Sequence, residues 1–172
     1  VSGSLPESTA FVLYSGDQMR TQGEDIGEIL WLMGIRPQWL SEHSDKVIGL
    51  EVIPLSELGR PRLDVVSRIS GLLRDTFPTL ITLLDEAVQL VLSLDEPIEA
   101  NWVKKHYVEE VAELRAAGID PETARQEAKL RVFGCPPGTY GGGVAVLVET
   151  KQWQSSDDLG ETAITWGGHA YS

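Results

Sequence analysis

The side chains best spaced to do chemistry here are arginines and their neighbouring acids. Gly59-Arg60-Pro61-Arg62 puts two guanidinia on one turn, and the fixed φ of Pro61 lowers the entropy of aiming both forks at a single anion. The local alternative is that they pair with acids such as Glu51 or Glu57. Asp17 and Arg20 follow the first β-rich run, and ligands of open α/β sheets sit at the carboxyl ends of strands. These two either reach a ligand or pair with each other. Arg74-Asp75 stands between a fourth β-rich run and Pro78, just ahead of a helix start where anions are favoured. His106 has Glu109 and Glu110 at i+3 and i+4, which suits a metal ligand, an acid/base group or a solvated helix face. Gly141-Gly142-Gly143 precedes a short apolar run and can offer backbone N–H groups to a carboxylate or phosphate.

Other chemistries lack their residues. No G-x-G-x-x-G follows the first β-rich run, which argues against a dinucleotide site, and the glycine triplet lacks the Gly-Lys-Ser/Thr ending of a nucleotide loop. His43, His106 and His169 have no H-x-x-x-H spacing, so no metal site is expected from them. Cys135 is the only cysteine, which excludes an internal disulfide or a multi-thiolate centre and suits a reducing, cytoplasmic setting.

The elements that must position these residues read as α/β. Thr9 to Ser15 is a short apolar run of the kind buried on both faces of a parallel sheet. Thr21 and Glu24 match a capping box, with Ile26, Ile29, Leu30 and Met33 as a helical stripe and Gly34 as its stop. Residues 35–40 form the next strand, short or at an edge because of Pro37, so strand, helix and strand predict a βαβ unit. Strands at 46–54 and 63–70 follow. A helix then starts at Pro78 with Leu80, Leu84, Ala87, Val88, Val91 and Leu92 on one side. Asn101 and Asp120-Pro121 cap two more helices, the second running to about Val132. Residues 134–143 read as a loop, and 144–149 and 158–166 as short helices. The sum is a three-layer, Rossmann-like α/β domain with a mainly parallel sheet over 9–97. A flexible N-terminal remnant precedes it at 1–8, and a helical C-terminal third packs on it at 98–172.

Composition bounds the partners. The 172 residues hold 26 acidic against 14 basic side chains, a net charge of −12. Such a surface repels a phosphate backbone, so nucleic acid is not expected as a partner. The apolar runs at 10–14 and 88–92 fall far short of the roughly 20 residues of a membrane helix. The five tryptophans are scattered and read as packing residues.

Several segments, in order, resemble the large subunit of the CobN/magnesium chelatase family. They are Gly16-Asp17-Gln18-Met19-Arg20-Thr21-Gln22-Gly23-Glu24-Asp25, Leu32-Met33-Gly34-Ile35-Arg36-Pro37, Leu58-Gly59-Arg60-Pro61-Arg62-Leu63-Asp64-Val65, Arg68-Ile69-Ser70-Gly71 with Phe77-Pro78, Leu94-Asp95-Glu96-Pro97 with Asn101 and Lys105-His106, Arg131-Val132-Phe133-Gly134 with Pro137-Gly138-Thr139-Tyr140-Gly141-Gly142-Gly143, and Trp166-Gly167-Gly168-His169-Ala170-Tyr171. The first, fourth and Phe77-Pro78 are closer to the cobaltochelatase branch. The resemblance implies ATP-dependent metal insertion into a tetrapyrrole: cobalt into hydrogenobyrinic acid a,c-diamide, or magnesium into protoporphyrin IX in the sister branch. It implies AAA+ ATPase partner subunits and a complex using ATP, Mg2+ and the inserted metal, with no cofactor held by this piece. It also implies substrate contacts among Asp17, Arg20, Arg60, Arg62, Arg74, Asp75, Asn101, Lys105, His106 and Tyr140, with no catalytic residue assigned. Family members are several times longer, and their T-H-G-x-x-E-type segment has no match here. The chain is therefore expected to be a downstream part of a larger subunit, inactive alone. It either lines the tetrapyrrole cleft or docks the ATPase subunits; a small-molecule-binding α/β module is the reading without the resemblance. On the ligand reading, loss of Arg60 and Arg62 together is expected to weaken substrate binding and not folding.

Overall fold

Side chains alternate along β1 (Ser8–Leu13): Leu13 is fully buried and Val12 is 56% exposed. The computed structural model describes residues 3–44 and 46–172. The chain continues through α1 (Ser15–Thr21), α2 (Glu24–Met33), β2 (Ile35–Trp39), β3 (Val47–Val52) and α3 (Leu55–Leu58). Next come β4 (Asp64–Ile69), α4 (Gly71–Thr76), α5 (Pro78–Ser93), α6 (Trp102–Ala116) and α7 (Pro121–Glu127). β5 (Val132–Gly134), α8 (Val144–Glu149), α9 (Ser156–Trp166) and β6 (His169–Tyr171) complete it.

The main sheet has the order β1-β4-β5-β6. β1, β4 and β5 are parallel, and β6 returns antiparallel to β5. The protein is thus mixed α/β with a mainly parallel sheet. On its inner face the α2 stripe (Ile26, Ile29, Leu30, Met33) meets Leu84, Ala87, Val88 and Val91 of α5 over Leu13, Val65 and Ile69. Burying side chains of this size stabilises by about 1.5–3 kcal/mol each. α9 reaches the outer face at the carboxyl end, where Arg68 Nη2 donates to Ala163 O at 2.9 Å. The rest of that face is open along β1, so the strand expected to be buried on both faces is buried on one.

Three further expectations are corrected. β2 and β3 pair antiparallel in a separate two-stranded sheet, so 9–40 is not a βαβ unit, and β1 finds its parallel partner in β4. Gly34, left-handed at φ 74°, ends α2 and turns the chain straight into β2. Thr21 Oγ1 accepts from Glu24 N at 3.3 Å, yet Thr21 closes α1 and the N-cap of α2 is Gly23. The C-terminal segment is mainly helical as expected, but β5 and β6 within it complete the main sheet. Asn101 and Asp120 cap α6 and α7 as read, the Asn101 side chain accepting from Lys104 N and that of Asp120 from Glu122 N and Thr123 N, but α7 stops at Glu127 and Val132, its expected end, opens β5.

Arg62 is fully buried. Its Nε and Nη2 make a fork to Glu96, each at 2.8 Å, while Nη1 donates to Gly34 O (2.8 Å) and Nη2 to Ile53 O (2.9 Å). Asn101 Nδ2 adds bonds to Glu96 Oε2 (3.2 Å) and Val91 O (3.0 Å). A Cβ at Gly34 would collide with Arg62 Nη1. Arg60 turns away, its Nη1 to Leu32 O at 2.8 Å and Nη2 to Trp31 O at 2.6 Å. The two forks therefore do not converge on an anion, and Arg62 joins the ends of α2, β3 and α5. Arg62→Ala is expected to destabilise the domain by roughly 3 kcal/mol, because the mostly buried Glu96 and the carbonyls of Gly34 and Ile53 lose their donor. A urea midpoint unchanged from wild type would contradict this.

Candidate functional site

The three parallel strands end on one edge of the sheet, the place where α/β sheets receive ligands. A cleft of about 370 Å³ opens there, lined by Val12, Tyr14, Arg68, Ile69, Ser70, Cys135, Gly141, Gly142 and Ala163. Arg68 is the one charged side chain among these. It faces outward beside Val12, its register partner on β1. In a chain of net charge −12, Arg20, Arg36, Arg62, Arg74, Arg125 and Arg131 each have a carboxylate partner, whereas Arg60, Arg68 and Arg115 have none among the described residues, and of these three only Arg68 lines the cleft. Only its bond to Ala163 O occupies the fork.

The glycine triplet comes to this arginine. Gly141 (φ 74°) and Gly143 (φ 73°) take left-handed conformations, and a Cβ on Gly142 would sit 3.9 Å from Arg68 Nη2. The N–H groups of Gly141 and Gly142 find no acceptor among the described residues. Successive free amides beside a guanidinium make a concavity that suits a carboxylate or phosphate. Val12, Ile69 and the half-exposed ring of Tyr14 give the same cleft an apolar wall.

Arg74, Asp75 and Tyr140 form the structure behind it. The two residues read as a polar lead-in to a helix lie inside α4, whose N-cap Ser70 accepts from Leu73 N. Arg74 forks onto Asp75 (Nε–Oδ1 2.7 Å, Nη2–Oδ2 3.0 Å) and donates through Nη1 to Pro136 O at 2.8 Å. Tyr140 OH donates to Asp75 Oδ2 at 2.6 Å, and Tyr171 OH to Cys135 O at 2.5 Å. A Cβ at Gly71 would stand 2.6 Å from Thr139 O, so glycine lets α4 approach the 135–140 loop. Arg74, and after it Tyr140, hold the Asp75 carboxyl down to about 2, and the Arg74 guanidinium is pushed further up, chiefly by Asp75. These three residues brace the cleft wall with their charges already paired.

The other expected residues fall elsewhere. Asp17 and Arg20 are on α1 and pair with each other at 3.3 Å, the local alternative. Asn101 is part of the Arg62–Glu96 node. Lys105 and His106 sit at the amino end of β4, about 17 Å along the strand from the cleft. There His106 Nδ1 lies 2.9 Å from Asp64 Oδ2, Arg131 Nε donates to Asp64 Oδ1 at 2.8 Å, and Lys105 Nζ meets Glu7 Oε2 at 2.5 Å. Burial raises Glu110, against the pull of Arg131. Among the described residues no group of three or more His, Cys, Asp or Glu is arranged to hold a metal ion. Sequence reasoning left Arg68 open between a ligand contact and a local ion pair, did not count it among the expected substrate contacts, and missed Tyr14. The signal for Arg68 was strand parity, which puts it on the face opposite Ile69.

The chain is a mixed α/β domain with a mainly parallel sheet and a cleft at the carboxyl ends of its parallel strands. This chain belongs to the CobN/magnesium chelatase family, whose family model matches residues 1–172. It is 45% identical to the aerobic cobaltochelatase subunit CobN of Pseudomonas aeruginosa over 89% of this chain and 12% of that protein. It is 40% identical to the chloroplastic magnesium-chelatase subunit ChlH of Oryza sativa subsp. indica, over 91% of this chain and 11% of that protein. Among solved structures it superposes on the catalytic subunit of cobaltochelatase from Mycobacterium tuberculosis with a TM-score of 0.85, at 43% identity, covering 98% of this chain and 14% of that one. The chain thus spans about an eighth of the length of these relatives. No helix among the described residues is long and apolar enough to cross a membrane.

The Asp75 node has a pH signature. Its folded pKa of about 2 lies below the ordinary 3.8, so its contribution to stability is present above about 4 and is lost as pH falls toward 2. Tyr140→Phe removes one of the two bonds that hold Asp75 down, and is expected to move the acid-unfolding midpoint to higher pH. Tryptophan fluorescence during acid titration reads this, and an unmoved midpoint would refute it.

Proposed function

We propose that this chain is a domain of the large subunit of an ATP-dependent cobaltochelatase, and that its strand-end cleft receives one edge of the tetrapyrrole substrate. The observation that carries this reading is Arg68, an arginine in an acidic chain that has no carboxylate partner among the described residues, beside glycine amides that have no acceptor there and an apolar wall. Corrin-type macrocycles combine an apolar body with carboxylate and amide arms, and a guanidinium fork and amide nest suit a carboxylate. The similarity to CobN and to a solved cobaltochelatase supports the cobalt branch, with hydrogenobyrinic acid a,c-diamide as substrate. Similarity to ChlH supports magnesium and protoporphyrin IX as the second reading.

In this account the domain binds and orients, and the rest of the subunit supplies further contacts. ATP and Mg2+ act on separate AAA+ subunits, the inserted metal enters as substrate, the complex works in the cytoplasm, and the domain alone does not chelate. Arg74, Asp75 and Tyr140 act by holding the cleft wall, and Arg60 and Arg62 by holding the fold.

A charge-assisted hydrogen bond is worth about 1.5–3 kcal/mol, so Arg68→Ala in the intact subunit is expected to weaken hydrogenobyrinic acid a,c-diamide binding roughly 10–100-fold. Arg60→Ala is expected to leave it unchanged. Titrations followed by tryptophan quenching measure both. Unchanged affinity in Arg68→Ala would remove the cleft from the binding site, and binding of protoporphyrin IX in preference to the corrinoid would assign the magnesium branch.

A further inference from the structure

β1 ends the main sheet, and the backbone pattern shows which of its groups face outward. Asp64 N donates to Glu7 O and Ser70 N to Leu13 O at the two ends of the β1–β4 ladder. In a parallel ladder such residues alternate along the strand, so residues 7, 9, 11 and 13 turn their N–H and C=O groups to β4. The same groups of Ser8, Ala10 and Val12 then face the open edge, where no other strand pairs with β1 among the described residues.

Exposed edges normally carry a lysine, a proline, a bulge or an inward charge to block pairing with another chain. β1 has none of these. Its sequence, Ser8-Thr9-Ala10-Phe11-Val12-Leu13, is uncharged, and its register with β4 is unbroken over all six pairs. The side chains of Ala10 and Val12 are exposed too, on the face away from α2. An edge so unprotected is built to be covered. What covers it is indicated by chain length: this chain spans 12% and 11% of two relatives and 14% of a solved chain, so most of the polypeptide in such subunits lies outside it.

We infer that in the assembled subunit a strand from the remainder of the same polypeptide pairs with the open edge of β1. It bonds to Ser8, Ala10 and Val12 and extends the sheet to five strands. Its alternate apolar side chains lie beside Ala10 and Val12. The inference rests on the length of the relatives and on strand geometry, and is independent of the tetrapyrrole reading.

Hydrogen exchange of the intact wild-type subunit, resolved to single amides, tests it. The amides of Ala10 and Val12 are expected to exchange at least about a hundredfold more slowly than unstructured ones, on a par with Thr9 and Phe11. Fast exchange at Ala10 and Val12 beside slow exchange at Thr9 and Phe11 would show an open edge and overturn the proposal. Protection that disappears on dilution would overturn it as well, by assigning the edge to a second copy of the subunit.

Discussion

The fold is organised around a guanidinium that never meets water. Taking Arg62 wholly and Glu96 largely out of solvent costs several kcal/mol, and only near-complete hydrogen bonding offsets that. The two-point fork to Glu96, the carbonyls of Gly34 and Ile53, and Asn101 on the same carboxylate meet this condition. The geometry is demanding. It fixes where α2 may end, since only glycine fits at Gly34, and how the β2–β3 sheet and the loop after α5 approach. A buried ion pair is a poor source of net stability, but a misplaced partner is so costly that alternatives to the native arrangement are excluded.

The two ends of β4 differ in how their charges are paired. At its amino end Asp64 is held by Arg131 and His106. At its carboxyl end Arg68 has no carboxylate partner among the described residues, and the glycine loop brings unbonded amides to the same place. Arg74, paired with Asp75 and tied to the 135–140 loop, holds that loop against α4, so the free cation and the free amides face each other across a wall of fixed shape. Position at the strand ends beside the glycine loop, together with the missing acid partner, is what sets Arg68 apart from the other arginines in the proposed site.

The parts legible in the sequence are those determined locally. The 3.6-residue stripes of α2 and α5, the stop at Gly34, the proline at the start of α5 and the Asn101 and Asp120 caps need no knowledge of distant residues. What was not legible depends on partners far along the chain. β5 and β6 are three residues each and exist only because β4 is beside β5. The antiparallel pairing of β2 with β3 leaves no trace in side-chain period, which is 2 in either direction. α1 and α4, of seven and six residues, are too short to show a helical stripe. Arg62 has the sequence context of a surface turn, and its burial depends on Glu96, 34 residues later. Arg68 was legible in principle, because alternation along β4 sets it outward next to Val12, but its lack of an acid partner appears only in three dimensions.

The most direct measurement is an experimental structure of the intact subunit with hydrogenobyrinic acid a,c-diamide bound. The account requires a carboxylate of the macrocycle within about 3 Å of the Arg68 guanidinium, with the ring edge against Tyr14 and the 141–142 amides turned to the same arm. A macrocycle seated away from this cleft, with Arg68 still bonded only to Ala163 O, would contradict it.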